Sequence, residues 1–207
     1  MIKHAKRLDS VEEYYFSKKL REVSKMIALG EPVINMGVGS PDLYPSEKVI
    51  DEINSSLSDQ VAHKYQSYQG IYELRKSISS FYKKYFNVEV NPENEVLPLM
   101  GSKEGIMHVS LAFLNPGDEV LIPNPGYPTY LAVTKLVEAK PRFYNLSQEN
   151  NWFPDIEELE KSDLSKVRIM WVNYPHMPTG ASASIIQFEQ LINFAKKNNI
   201  LIINDNP

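Results

Sequence analysis

The sequence contains no cysteine, so this chain can form neither a disulfide framework nor a thiolate metal site. It also has no excess of positive charge, and its net charge of −4 gives no support to nucleic acid as a partner. No apolar run approaches the roughly 18 residues that a membrane span requires. The N-terminus lacks the apolar core of a secretory signal. These absences predict a soluble, cytoplasmic protein.

What remains is the composition of an ordinary globular protein. The chain has 207 residues, of which 43% are hydrophobic and 23% are charged, enough to bury a sizeable core without disulfides. Apolar runs of strand length recur along it, at 96–100, 119–123, 141–146, 167–174 and 200–205. Strands that alternate with helices predict an α/β fold, with a mainly parallel sheet and helices on both faces.

Apolar residues at helical spacing lie between several of these runs. One set falls within 71–85 and another within 188–195. Ser184, followed three residues later by Gln187, has the form of a capping box and predicts a helix start. Asp155 with Glu158 predicts another start, ahead of the run at 167.

The N-terminal stretch has a different character from the rest. It consists of a charged helical segment followed by "PVINMGVGSPDLYP", which is rich in turn residues. We interpret residues 1–45 as an N-terminal arm and small-domain segment, and residues 46–207 as a larger, truncated α/β domain. Because the sequence stops directly after an apolar strand, we expect a fragment of a longer protein.

Ligands of open parallel sheets bind outside the carboxyl ends of the strands. That rule selects "GSKEG" after the first run, "PNPGYPTY" after the second, "NYPHMPTG" after the fourth and "NDNP" after the fifth. The two prolines and the glycine of "NYPHMPTG" indicate a rigid corner. The sequence therefore predicts a binding site at this edge.

Three of these segments each suit one part of a phosphorylated heterocycle, and each also has an ordinary structural interpretation. Ser102 and Lys103 begin a helix whose N–H groups favour an anion, or they are a plain helix start. Tyr127, held between Gly126 and a proline, suits stacking on a flat ring, or belongs to the core. Asp205 suits a protonated pyridine nitrogen, or caps a turn.

In combination and in this order, the segments resemble the fold-type I pyridoxal-phosphate (PLP) enzymes, specifically the class I/II aminotransferases. The resemblance rests on "GVGSPD", "YQSYQGIYELR", "GSKEGI", "PNPGYPTY", "NYPHMPTGA" and "IINDNP", and spans roughly residues 33–207. It implies that Ser102 and Lys103 bind the cofactor phosphate and that Tyr127 stacks on the ring. It also implies that Asp205 pairs with the pyridinium nitrogen, which keeps the ring able to accept electrons.

Two further roles follow from the same resemblance. Tyr65 matches a tyrosine that reaches the cofactor phosphate of the neighbouring subunit, which implies a homodimer with shared sites. Gly39 matches a small-domain glycine that lines the pocket for the substrate carboxylate.

The sequence departs from the family pattern at Met177. The residue before "PTG" is usually an asparagine that donates a hydrogen bond to the phenolic oxygen of the cofactor, and methionine has no donor. The lysine that bonds covalently to the cofactor and the arginine that binds the substrate carboxylate are expected downstream of Pro207. We therefore expect the 207-residue chain to show no turnover.

The predicted activity of the whole protein is transfer of an amino group between an amino acid and a 2-oxo acid. A PLP-dependent lyase or decarboxylase of the same fold is an alternative, because the motifs are shared. A non-catalytic, aminotransferase-like regulatory module is another, although such regulators usually carry a DNA-binding domain in front. The sequence does not identify the amino acid.

Overall fold

The computed structural model describes residues 2–9, 11, 13–37, 39 and 41–206. Backbone contacts divide the chain into two units. We call residues 13–98 the helical unit. The described residues up to 11, together with those from 99 onward, form the sheet unit. The domain division predicted at residue 45 stays a prediction.

Within its described residues the helical unit contains three α-helices: α1 Tyr15–Ala28, α2 Glu47–Ser56 and α3 Tyr72–Phe86. The predicted N-terminal helix and the predicted helix over 71–85 are confirmed. Arg75 of α3 is buried, and its guanidinium donates to the carbonyl oxygen of Pro92. This bond ties α3 to the loop that follows it.

The sheet unit is built on four strands: β1 Glu119–Asn124, β2 Lys140–Asn145, β3 Val167–Val172 and β4 Leu201–Asn204. Their order is β2-β1-β3-β4, and every neighbouring pair is parallel. Four of the five predicted strands are therefore confirmed, each within a few residues of its predicted bounds. Because the strands are parallel, all four carboxyl ends lie at one edge.

Helices cover both faces of this sheet. They are α4 Ser102–Phe113, α5 Pro128–Leu136, α6 Ile156–Glu160 and α7 Ile185–Asn198. Successive strand residues point to opposite faces. Val120 and Ile122 accordingly pack with residues of α4 and α5, whereas Leu121 packs with Leu191 and Phe194 of α7. The α/β fold class with helices on both faces is confirmed.

Both predicted helix starts are confirmed. Ser184 accepts a hydrogen bond from the Gln187 N–H, and the Gln187 side chain accepts one from the Ser184 N–H, which completes a capping box at α7. The carboxylate of Asp155 accepts a hydrogen bond from the Glu158 N–H at the start of α6.

The prediction of a strand at 96–100 is wrong. This stretch adopts no strand, and Leu97, Leu99 and Met100 are exposed. Pro98 lies at its centre and has no N–H to donate to a ladder. The four strands of the sheet pair only with one another, so the stretch lacks the neighbour that a strand requires.

Within the described residues, no helix is both long and apolar enough to cross a membrane.

Candidate functional site

The segments that follow β1, β3 and β4 meet at the carboxyl edge of the sheet. Asp205, directly after β4, lies near their centre and is half-buried. Its N–H donates to the Val172 carbonyl at 2.9 Å, which continues the β3–β4 pairing by one residue. Its carboxylate oxygen Oδ2 accepts a hydrogen bond of 2.8 Å from the Tyr130 hydroxyl. The position and orientation of the carboxylate are therefore both fixed.

Tyr130 is a fully buried donor to this carboxylate. It sits in α5, and its ring stacks on Trp171 of β3, with centroids 5.0 Å apart and planes 5° from parallel. Burial, reinforced by the hydrogen bond to Asp205, raises the pKa of the Tyr130 hydroxyl well above its usual range. The hydroxyl consequently stays protonated and donates at every physiological pH.

Tyr127 presents an aromatic ring beside this pair. It is the N-cap residue of α5, and Pro128 begins the helix, so the backbone on both sides is constrained. The ring is half-buried and meets the Tyr130 ring edge-on, with centroids 5.6 Å apart. The Lys103 ammonium lies 5.9 Å from the centroid of the Tyr127 ring. The structure thus brings Lys103, Tyr127 and Asp205 into one region.

The N-terminus of α4 supplies the positive end of a helix to this edge. Gly101 precedes it with φ 99° and ψ 156°, a conformation that side-chain-bearing residues rarely adopt. Ser102 and Lys103 are the first two residues of the helix and are exposed. The first N–H groups of a helix have no intrahelical partners, so this end can bind an anion such as a phosphate.

The corner at 173–181 is closed by hydrogen bonds within itself. The His176 N–H donates to the Ala181 carbonyl at 2.7 Å, and the Gly180 N–H donates to the His176 carbonyl at 2.6 Å. The Met177 N–H donates to Asn173 Oδ1 at 2.6 Å. The predicted rigid corner is therefore present, although the rigidity comes from hydrogen bonds as well as from its prolines.

His176 points into the protein and joins the corner to the segment after β1. It is only 2% exposed; its Nε2 lies 3.2 Å from the Pro125 carbonyl oxygen and its Nδ1 lies 2.7 Å from Thr179 Oγ1. A carbonyl oxygen is only an acceptor, so Nε2 carries the proton and Nδ1 accepts from the threonine hydroxyl. His176 therefore does not replace the donor that Met177 lacks.

Met177 is one of the exposed residues of the corner. Its side chain is 40% exposed, whereas Asn173 and His176 are almost fully buried. A substitution at 177 can therefore change what the corner offers to a ligand without disturbing its interior.

The other two predicted site residues belong to the helical unit. Tyr65 is fully exposed there, and Gly39 lies in an irregular segment. The predicted roles of Tyr65 and Gly39 stay predictions.

The sequence does not predict the roles of three residues that organise the site: Tyr130, Asn173 and His176. A signal existed for Tyr130, because it lies three residues after Tyr127 and so on the same face of a helix that starts at 128. No local pattern indicates the bonding partners of Asn173 or His176.

The buried imidazole of His176 predicts a specific pH dependence. Burial lowers its pKa below the usual 6.5. As the pH falls below that value, the unfolded chain binds a proton that the folded chain does not, so the free energy of unfolding falls. We expect the stability advantage of the wild type over His176→Gln, measured by urea denaturation, to shrink by up to about 1.4 kcal/mol per pH unit on acidification. An advantage that is constant between about pH 8 and about pH 5 would contradict the assignment.

The fold indicates the class of protein. A parallel sheet with a candidate ligand site at the carboxyl ends of its strands is typical of α/β enzymes. The family model for aminotransferase class I and II matches residues 31–206, and the chain belongs to that family. Members of the family depend on PLP.

Relatives agree with this assignment. An LL-diaminopimelate aminotransferase of Dehalococcoides mccartyi is 38% identical over 206 residues, which is 100% of this chain and 53% of the relative. The L-glutamine–4-(methylsulfanyl)-2-oxobutanoate aminotransferase of Bacillus subtilis is 34% identical, over 96% of this chain and 50% of the relative. The substrate-bound BacF structure from Bacillus subtilis superposes with a TM-score of 0.94 at 32% identity, covering 99% of this chain and 52% of that one. The chain spans about half the length of the curated relatives it matches.

Proposed function

We propose that the carboxyl edge of the sheet binds PLP and that the protein transfers an amino group between an amino acid and a 2-oxo acid. The observation that carries this proposal is the state of Asp205. Its Oδ2 is occupied by Tyr130, while Oδ1 accepts no hydrogen bond from any residue that the structure describes. One carboxylate oxygen is therefore held and the other is available to a ligand, beside an aromatic ring.

The residues present fit the cofactor. The α4 N-terminus with Ser102 and Lys103 provides the site for its phosphate, and Tyr127 provides a ring for stacking. Asp205 would accept a hydrogen bond from the ring nitrogen through Oδ1, which favours the protonated form of that nitrogen. When bound, PLP withdraws electrons from the carbon that carries the amino group of the substrate.

The remaining side chains keep these groups in place. Tyr130, protonated at its hydroxyl, fixes the orientation of the Asp205 carboxylate. His176 holds the 173–181 corner against the segment that leads to Tyr127. Organisation of this kind stabilises developing charge without any rearrangement at the moment of reaction.

The proposal extends to the assembly and the setting of the protein. A homodimer is supported by the full exposure of Tyr65, the residue that the family pattern places at a neighbouring subunit's phosphate. Gly39 would line the pocket for the substrate carboxylate. We also propose a role in amino-acid metabolism, which amino-group transfer supports, and a location in the cytoplasm. The two relatives act on different amino acids, so the proposal does not extend to a single substrate.

Binding, not turnover, is the appropriate test, because no lysine in this chain is assigned to the covalent bond with the cofactor. Pyridoxamine 5′-phosphate is a suitable probe, since it forms no such bond. We expect the wild-type chain to bind it and Asp205→Asn to bind it about tenfold or more weakly, because a charge-assisted hydrogen bond to the ring nitrogen is lost. Isothermal titration calorimetry measures both affinities.

Asp155→Asn is the matched control. It makes the same acid-to-amide change at the α6 N-cap, where asparagine is also a good cap, and should leave the affinity unchanged. Wild-type protein that does not bind the probe, or Asp205→Asn protein that binds it as tightly as the wild type, would overturn the proposed site.

A further inference from the structure

One buried amide connects the two segments that would face the cofactor ring. Asn173 follows β3 and is 1% exposed. Its Nδ2 donates to the main-chain carbonyl oxygen of Asp205, and its Oδ1 accepts from the Met177 N–H at 2.6 Å. The planar amide of Asn173 therefore connects the main chain directly after β4 to the main chain of Met177.

The backbone of Asp205 is held on both sides. Its N–H is bound by the Val172 carbonyl, and its carbonyl is bound by Asn173. The bond at the Asp205 N–H extends the regular β3–β4 pairing by one residue. The bond from Asn173 to the Asp205 carbonyl lies outside that pairing. Asn173 thus holds the main chain of Asp205 directly after the sheet has ended, and so supports the position from which Tyr130 orients the carboxylate.

No other side chain of this size satisfies both partners. The Met177 N–H requires an acceptor and the Asp205 carbonyl requires a donor, and the asparagine amide carries both at a fixed separation. Aspartate lacks the donor, and leucine lacks both. A glutamine is one methylene longer and would displace one segment or the other. A truncated side chain would leave a partly buried N–H and C=O without partners.

We infer that Asn173 is a positioning residue that sets Asp205 and the residue at 177 in a fixed relation to each other, for recognition of the cofactor ring. This inference rests on the proposed function and assigns to Asn173 no direct contact with the cofactor. Its consequence is specific: Asn173 controls how well Asp205 recognises the ring nitrogen, beyond any effect on stability.

The test uses two probes, pyridoxamine 5′-phosphate and its analogue with C–H in place of the ring nitrogen. The ratio of their affinities includes the pairing of Asp205 with that nitrogen, and the contributions that the two probes share, such as the phosphate, cancel when the ratio is compared between variants. We expect the wild-type chain to prefer the nitrogen-containing probe by about tenfold or more. In Asn173→Ala the ratio should fall by at least about fivefold, because the Asp205 main chain is then held only at its N–H and the carboxylate, still bonded to Tyr130, is placed less precisely.

Two further variants separate positioning from stability. Asn173→Ser replaces the two amide atoms by one hydroxyl nearer the backbone, which can donate and accept but is too short to reach both partners. This variant should keep more stability than the alanine variant and should also lose most of the ratio. Asn204→Ala removes the bond of 3.0 Å from the Tyr174 N–H to Asn204 Oδ1. It loosens the same two strand ends but leaves both main-chain bonds of Asp205 intact. This control should lower the urea midpoint and keep the ratio.

The outcomes distinguish the inference from the proposed function. A wild-type chain that binds neither probe, or both equally, contradicts the cofactor site itself. If folded Asn173→Ser keeps the wild-type preference for the nitrogen-containing probe, the positioning role of Asn173 is contradicted and the cofactor site is not. The same holds if Asn204→Ala loses that preference to the same extent as the Asn173 variants.

Discussion

Gly126→Ala is expected to destabilise the fold by about 3 kcal/mol or more, at the large end of single substitutions. A Cβ on Gly126 would overlap the Pro123 main-chain oxygen and would lie 2.8 Å from Pro123 Cγ. The oxygen belongs to β1, whose preceding residues Leu121 and Ile122 are fully buried. Neither the strand nor the turn can move away without disrupting the core, so the substitution forces the segment before Tyr127 open.

Urea denaturation followed by circular dichroism measures the loss. Gly105→Ala is the matched control, since it adds the same methyl group at a contact of 2.7 Å. There the atom approached is Leu99 Cδ1, the end of an exposed and flexible side chain, and alanine is favoured over glycine in a helix by about 1 kcal/mol. We expect Gly105→Ala to remain within about 1 kcal/mol of the wild type. Equal losses of unfolding free energy in the two variants would show that the rigid turn around Gly126 is not the cause of the destabilisation.

The two central strands of the sheet, β1 and β3, could be predicted from the sequence because they are buried on both faces. Such strands form nearly continuous apolar runs, as in "VRIMWV", and the turn residues that bound them are equally local signals. The run at 96–100 has a similar composition, but Pro98 and the absence of a neighbour among the described strands leave it outside the sheet. Apolar composition indicates a strand, but the strand forms only where a neighbouring strand is available to pair with it.

The candidate site was predictable in its segments but not in its connections. The rule that ligands bind at the carboxyl ends of parallel strands selects the segments containing Lys103, Tyr127 and Asp205, and the structure brings those residues together. The bonds that organise them join residues far apart in sequence, with Tyr130 and Asp205 separated by 75 positions and His176 and Pro125 by 51. No periodicity or capping pattern extends over such separations.

The structure also changes how the substitution of the usual asparagine at 177 is interpreted. The adjacent side chain, that of His176, is turned inward, and both its ring nitrogens are engaged, with Pro125 and Thr179, so it cannot supply the missing donor. Asn173 is engaged on both sides of its amide. The side chain that the corner presents at position 177 is therefore an apolar thioether without a donor.

Restoring the donor should consequently strengthen binding. Met177→Asn is expected to raise the affinity for pyridoxamine 5′-phosphate by about tenfold, since the side-chain amide can donate to the phenolic oxygen of the probe. The main chain should not move, because its Met177 N–H stays bound to Asn173 Oδ1. Met177→Leu has similar size and no donor, and should bind like the wild type; calorimetric titration measures all three affinities. If Met177→Leu gains the same affinity, the shape of the side chain and not its donor is responsible. If Met177→Asn binds the probe no more tightly than the wild type, residue 177 does not face the phenolic oxygen.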